Sequence, residues 1–177
     1  MYRVYPHKRY RMTEAFMAKH LPSPCNLLDL GVDNPLSQRL RALGYQVQNT
    51  SGQDLDLNPK EAHQTGFDAV TGFEILEHLI NPMGVLQGIQ ADKLMVSIPL
   101  RLWFSSAYRS KTDPWDRHYH EFEDWQFDWL LEKSGWTIVD RLYGTHPVKK
   151  WGIRPLLRLF TPRYYWVYAV RNTDPNP

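Results

Sequence analysis

An α/β fold on an open, mostly parallel sheet is what the 177-residue sequence predicts, and three features predict it. Short apolar runs of strand length alternate with segments of helical period. Runs such as "NLLDLGV" and "DKLMVSIPL" are nearly continuous in apolar residues, as parallel strands covered on both faces must be. Most helical stretches are flanked by residues that start or stop helices. With 42% hydrophobic residues and no repeat or low-complexity block, one domain with one core is expected.

From the amino end, Thr13 is a good N-cap, so the first helix is expected from there through Met17 toward His20, before Pro22 and Pro24. Residues 1–24 thus read as a helical cap ahead of the first strand, "NLLDLGV". Asn34 is a favoured N-cap and Pro35 suits a first helical position. Leu36, Leu40 and Leu43 share a face, and Gly44 closes the helix. A second strand, "YQVQNT", leads into the polar loop "SGQDLDLNP". "FDAVTGF" is the next strand, and "EILEHLINP" reads as a helical turn stopped by Pro82.

"DKLMVSIPL" is a buried strand ended by Pro99. The following "RLWFSSAYRSKTDPWDRHY" is too long and too rich in particular side chains for a plain connector, and loops of this kind carry function. A helix is expected from Glu123 to Ser134 with Gly135 as its stop. The strands "WTIVDRLY" and "YYWVYAV" complete the set, for about seven strands in all.

The net charge of +2 is unevenly spread. Every acid lies between Glu14 and Asp140 except Asp174, whereas 141–171 holds seven cations and no acid, and Arg3, Lys8, Arg9 and Arg11 crowd the start. Such asymmetry suits an anionic substrate or partner. There is no 18-residue apolar run and no apolar leader-like stretch at the start, so no membrane span and a cytoplasmic location are expected. The single cysteine, Cys25, excludes an internal disulfide or a multi-cysteine metal site and reads as a small buried residue.

Three local patterns resemble the class I S-adenosylmethionine-dependent methyltransferases, over roughly Asn26 to Arg171. "LLDLG" is similar to the family's first motif, a strand ending in Asp-x-Gly. "FDAVTGFEILEHLINP" is close to its fourth-strand signature. "HYHEFEDWQFDWLLEKSGW" resembles the His-x-x-Glu-Phe segment before the sixth strand. The resemblance implies a Rossmann-like, doubly wound sheet of about seven strands with an antiparallel last strand and helices on both faces.

It also implies S-adenosylmethionine as cofactor, held across the carboxyl ends of the strands, where open α/β sheets bind ligands. Asp29 would order the loop or reach the cofactor amino group, and Gly31 would allow close backbone approach. Asp33 and Asn34 continue that loop. Gly72, Phe73 and Glu74 would touch the methionine moiety, and Asp54 or Asp56 the adenine. Two departures stand out: the later loop glycines of the family align with Asp33 and Pro35, and the acid that grips the ribose is replaced by Asn49 and Thr50. An uncharged Asn49 weakens such a bond by about 1 kcal/mol.

Methyl transfer needs orientation and a deprotonated nucleophile, so a base helps without being obligatory. His118, His120 and Glu121 are the candidates, downstream of Asp113 and Asp116, with packing of the loop as the competing role. His118 and His120 have the spacing of two metal ligands, with Glu121 or Glu77 as a third, but the pattern is unspecific and no metal is expected. His78 reads as a packing residue. Phe122, Trp125 and Trp129 follow helical spacing and are expected in the core. In "VKKWGIRPLLRLFTPRYYW" apolar and basic residues interleave as in a substrate lid, an interfacial membrane patch or a nucleic-acid surface, though Pro155 and Pro162 exclude a long helix.

The expected function is methyl transfer to an oxygen or nitrogen of an unidentified small molecule, whether anionic or not, with 101–122 and 148–163 as acceptor-side insertions. Two alternatives remain: a non-catalytic protein of the same fold that has lost its cofactor and acts as a binding module, and a nucleic-acid methyltransferase. Against the latter, the Asn/Asp-Pro-Pro-aromatic motif is replaced by "GFEI", and no stable nucleic-acid partner is expected. A nicotinamide dehydrogenase would require Gly-x-Gly-x-x-Gly, which "GVDNPL" does not supply. A homodimer is left open.

Overall fold

The computed structural model describes residues 7–148 and 151–172. Arg3, Lys149, Lys150 and Asp174, part of the charge pattern, lie outside them. In chain order the elements are α1 (His7–His20), β1 (Asn26–Asp29), α2 (Pro35–Ala42), β2 (Gln46–Asn49), β3 (Ala69–Phe73), α3 (Pro82–Gly88), β4 (Lys93–Pro99), α4 (Asp124–Lys133), β5 (Trp136–Thr145), α5 (Ile153–Phe160) and β6 (Pro162–Arg171). The sheet order is β2-β1-β3-β4-β6-β5; β6 runs antiparallel to both its neighbours and the other pairings are parallel.

The fold class is as the sequence predicts, with six strands in place of about seven. Between β2 and β3 the polar stretch "SGQDLDLNPKEAHQTG" forms a loop with one 3-10 turn, Pro59–Ala62. It lacks the β-branched and aromatic run a further strand needs. β2 is therefore an edge strand, short and alternately exposed, features that protect an edge from pairing with other chains.

Alternation along each strand builds two cores. Leu27, Met95, Trp166 and Tyr168 face α1 and α2, together with Phe16, Met17, Leu36 and Leu40. Leu28, Val70, Leu94, Val96, Tyr165 and Val167 face α3 and α4, with Leu86, Phe127 and Leu131. Cys25 is buried, as expected.

Three local expectations are corrected. α1 spans His7–His20, and Thr13 lies within it: its hydroxyl donates to the Arg9 carbonyl and accepts the Trp166 indole N–H at 2.9 Å. A buried indole N–H needs that partner, so tertiary packing outweighs the capping preference of threonine. Pro82 starts α3 instead of ending a helix, because the Asn81 side chain caps it and proline costs nothing at a first helical position. Trp125 and Trp129 are exposed and packed edge to face on one another, while Phe127 and Leu131 take the buried face of α4.

Candidate functional site

Parallel strands deliver their carboxyl ends, and the loops that follow, to one edge. The residues expected to bind cofactor gather there around β1 and β3. Asp29 is fully enclosed. Its Oδ1 accepts from Thr71 Oγ1 at 2.7 Å, and its Oδ2 from Ser37 Oγ at 2.8 Å and Asn49 Nδ2 at 3.1 Å. Burial raises its pKa, against the opposing effect of those hydrogen bonds. Asp29 thus ties β1, β2, β3 and α2 together and has its polar capacity spent inside the protein.

The same holds for most of its neighbours. Asn49 donates to Asp29 and accepts from Arg41 at 2.7 Å. The Gly31 N–H donates to Thr50 Oγ1 at 2.8 Å, and Gly31 has φ +105, a conformation glycine adopts without strain. Asn34 caps α2, accepting from Leu36 and Ser37 N–H. Asp33 points outward to Gln38 and Arg41. Asp54 accepts from the Asp56 N–H, and Asp56 from the N–H groups of Ile80 and Asn81, both at 2.7 Å. Asp33, Asp54 and Asp56 therefore serve turns.

What remains open is a hollow of about 40 Å³ lined by Arg9, Tyr10, Asp29, Leu30, Phe73 and Ser97, among others. At its mouth Arg9 Nη1 meets Glu74 Oε2 at 2.9 Å, and Glu74 Oε1 accepts from Ser97 Oγ at 3.1 Å. Glu74 has φ +58, a left-handed conformation that is costly for a side chain of this kind and is found where a site demands a direction. Arg9 and Ser97 were not singled out by the sequence. Arg9 belongs to a basic stretch with no motif of its own, and only the folding of α1 over the strand ends makes it a site residue.

The turn after β3 carries a second group. Glu77 is 1% exposed, and its Oε2 has no hydrogen-bond partner. Burial first, and then the nearby Glu74 carboxylate, raise its pKa well above the ordinary value. Its carbonyl accepts from the N–H groups of Tyr119 and His120, which pins the long loop to this turn. His78 Nε2 lies 3.7 Å from Glu77 Oε1, and its Nδ1 is 3.0 Å from the Arg117 carbonyl, to which it donates in the tautomer that leaves Nε2 unprotonated.

His118 packs edge to face on His78, with ring centroids 4.8 Å apart, and beside Tyr108. Burial, then the charges of His78 and Arg163, lower its pKa to about 4, so it is neutral at physiological pH. Donor atoms of Glu77, His78 and His118 all lie within 4.8 Å of one another, and this is the set among the described residues that could hold a cation. His120 instead faces the Ile80 carbonyl at 3.2 Å and stacks on Phe122, and Glu121 accepts from the Tyr108 N–H. Of the three expected catalytic residues, the fold brings only His118 to this group.

Beyond His118 lies an open hollow of about 570 Å³ lined by Tyr108, Arg109, Ser110, Lys111, Arg117, His118 and Tyr119. Its volume suits a small molecule, and its three permanent cations suit an anion.

The fold is that of the class I methyltransferases. Neither family models nor curated proteins give a match to the sequence. Among solved structures, a S-adenosylmethionine-dependent methyltransferase of Methanosarcina mazei superposes with a TM-score of 0.61 at 12% identity, covering 97% of this chain and 99% of that one. The magnesium protoporphyrin IX methyltransferase of Synechocystis, solved with bound S-adenosylhomocysteine, gives 0.55 at 13% identity over 93% and 82% of the two chains. The [4+2]-cyclase SpnF gives 0.55 at 13% identity over 97% and 85%.

The donor set fits one half of such a cofactor. The Arg9 guanidinium and the Glu74 carboxylate form a complementary pair, matching the α-carboxylate and α-ammonium of an amino acid. In the loop after β1, Val32, an exposed side chain, crosses to Gly52 so closely that a Cβ there would lie 2.3 Å from Val32 Cγ1.

Proposed function

We propose that the protein is a S-adenosylmethionine-dependent methyltransferase acting on an oxygen or nitrogen of a small anionic molecule. The observation that carries this reading is the arrangement along one sheet edge. An amino-acid-matching pair, Arg9 and Glu74, is joined through Glu77 and His78 to His118 and a basic hollow of small-molecule size. Arg9 would hold the cofactor's carboxylate and Glu74 its ammonium, with Phe73 and the Gly31 backbone beside them. When bound, the cofactor supplies the electrophilic methyl group. Arg109, Lys111 and Arg117 orient the acceptor, and neutral His118 takes its proton.

Titration calorimetry with S-adenosylmethionine and S-adenosylhomocysteine, with NADH as control, tests the reading, and micromolar binding of the two sulfur ligands is expected. Arg9→Ala should weaken both by roughly 10- to 100-fold, the loss of one charge-assisted pair. His118→Ala should leave cofactor affinity within about twofold and lower turnover by roughly 100-fold, the usual contribution of a positioned base. Equal losses of cofactor affinity in the two variants would refute this division of roles.

A second reading is favoured by the closure of Val32 on Gly52: a protein that keeps the fold without the cofactor. The name of SpnF, a cyclase, shows that this fold is used for other chemistry. Absence of binding to either sulfur ligand, in folded protein, would select it.

A further inference from the structure

α5 is amphipathic, and it is mounted the wrong way round for a globular domain. At helical spacing Ile153, Leu156, Leu159 and Phe160 share one face, and all four are exposed, Ile153 and Phe160 at 78%. The half-buried residues are Pro155, Leu157 and Arg158. Arg158 lies close enough to His146 and Tyr164 to act electrostatically on both. No residue of the helix is buried, and the exposed Trp151 precedes it. In water an amphipathic helix places its apolar stripe against the domain, so a stripe turned outward marks a surface that something else covers.

Charge indicates what that is. The described cations on α5 and just after it are Arg154, which is exposed, Arg158 and Arg163, and the segment 141–171 holds no acid. A second copy docked through the same face would set these positive charges against their equivalents. A surface of anionic lipid takes up the apolar stripe and attracts the cations together, and an exposed tryptophan at its rim suits the headgroup level. The placement agrees. β5 ends and β6 begins at the edge where β1, β3 and β4 end, since Thr145 pairs with Pro162 and Pro99 with Tyr164. Exposed Trp103 and Trp115 stand on the loop that leaves the same edge.

We propose that α5 docks the protein on anionic membrane surfaces, lying in the interface with Ile153, Leu156, Leu159 and Phe160 inserted. Docking does not depend on cofactor binding. It turns the edge bearing His118 and the basic hollow toward the lipid, so that an acceptor carried at the membrane would reach the site; that last consequence rests on the methyl-transfer reading.

The test is co-sedimentation of the full chain with vesicles of phosphatidylcholine mixed with phosphatidylglycerol, against vesicles of phosphatidylcholine alone. Stronger association with the anionic vesicles, declining with added salt, is expected. Leu156→Ser combined with Phe160→Ser should reduce that association roughly tenfold or more at unchanged circular dichroism, because neither side chain packs in the core. The proposal is overturned if the protein stays in solution with anionic vesicles, or if the double variant binds them as the parent does. It is also overturned if light scattering finds a dimer that the double variant abolishes while vesicles bind neither protein, since the face would then join two copies.

Discussion

Asp29→Ala is expected to lower the thermal unfolding midpoint by roughly 10 °C. The variant leaves the Thr71 and Ser37 hydroxyls, both fully enclosed, without their acceptor and the Asn49 amide with Ser37 Oγ alone. Removing one partner of a buried, charge-bearing network costs about 3–5 kcal/mol. In a chain of this length each kcal/mol moves the midpoint by about 2–4 °C. The control is Asp33→Ala in the same loop, whose exposed partners Gln38 and Arg41 can turn to water, and which should melt within about 2 °C of the parent. Differential scanning calorimetry of both decides the matter. If Asp29→Ala melts within about 2 °C of the parent, Asp29 is not the structural node inferred from its bonds. The first-motif acid would then be kept for ligand contact, the role its resemblance implies.

Relative to the parent, Glu77→Gln should gain stability as pH rises from about 5 toward neutral, because the parent loses over that range the stability that a protonated Glu77 contributes. The sign follows from Glu77 keeping its proton in the folded protein at pH values where the unfolded chain has lost it. Between the ordinary carboxyl pKa and the raised one, the folded state binds more protons, so each pH unit costs about 1.4 kcal/mol of stability; above the raised value the loss is complete. Asp29, raised in the same direction, adds a slope of the same sign, and His118 and His146, both lowered, add slopes of the opposite sign; the variant retains all three, so the difference between the two proteins isolates Glu77. Denaturant unfolding of chelator-treated protein across that range is the measurement. Parallel curves for parent and variant would mean that Glu77 is ionised in the folded state, with its unpartnered Oε2 reached by water.

Much of the architecture was legible in the residues. The six strand-like runs, the Asn34-Pro35 helix start and the Gly135 stop foretold the six strands, α2 and α4 in their order, because a strand covered on both faces has to be apolar and a helix end has to satisfy its own backbone; α3 and α5 were not foretold. The signature "FDAVTGFEILEHL" is the stretch that brings Gly72, Glu74, Glu77 and His78 to the strand edge where the candidate site lies.

Charge and motif position could not say which of these side chains would be free. Asp29, Asn49, Asp54 and Asp56 read as ligand contacts in the chain and are spent on Thr71, Ser37, Arg41 and backbone N–H groups in the fold. A hydrogen-bonding group declares its chemistry in the sequence, but its partner is chosen by what packing brings within 3 Å. Arg9 shows the converse: an unremarkable member of a basic stretch becomes the partner of Glu74 only because α1, held by Thr13 on Trp166, crosses the strand ends. α5 shows the same division. Its mixture of leucine and arginine was plain in the sequence, whereas which side faces the domain was decided by tertiary packing, which half-buries Pro155, Leu157 and Arg158 and leaves the apolar stripe outward.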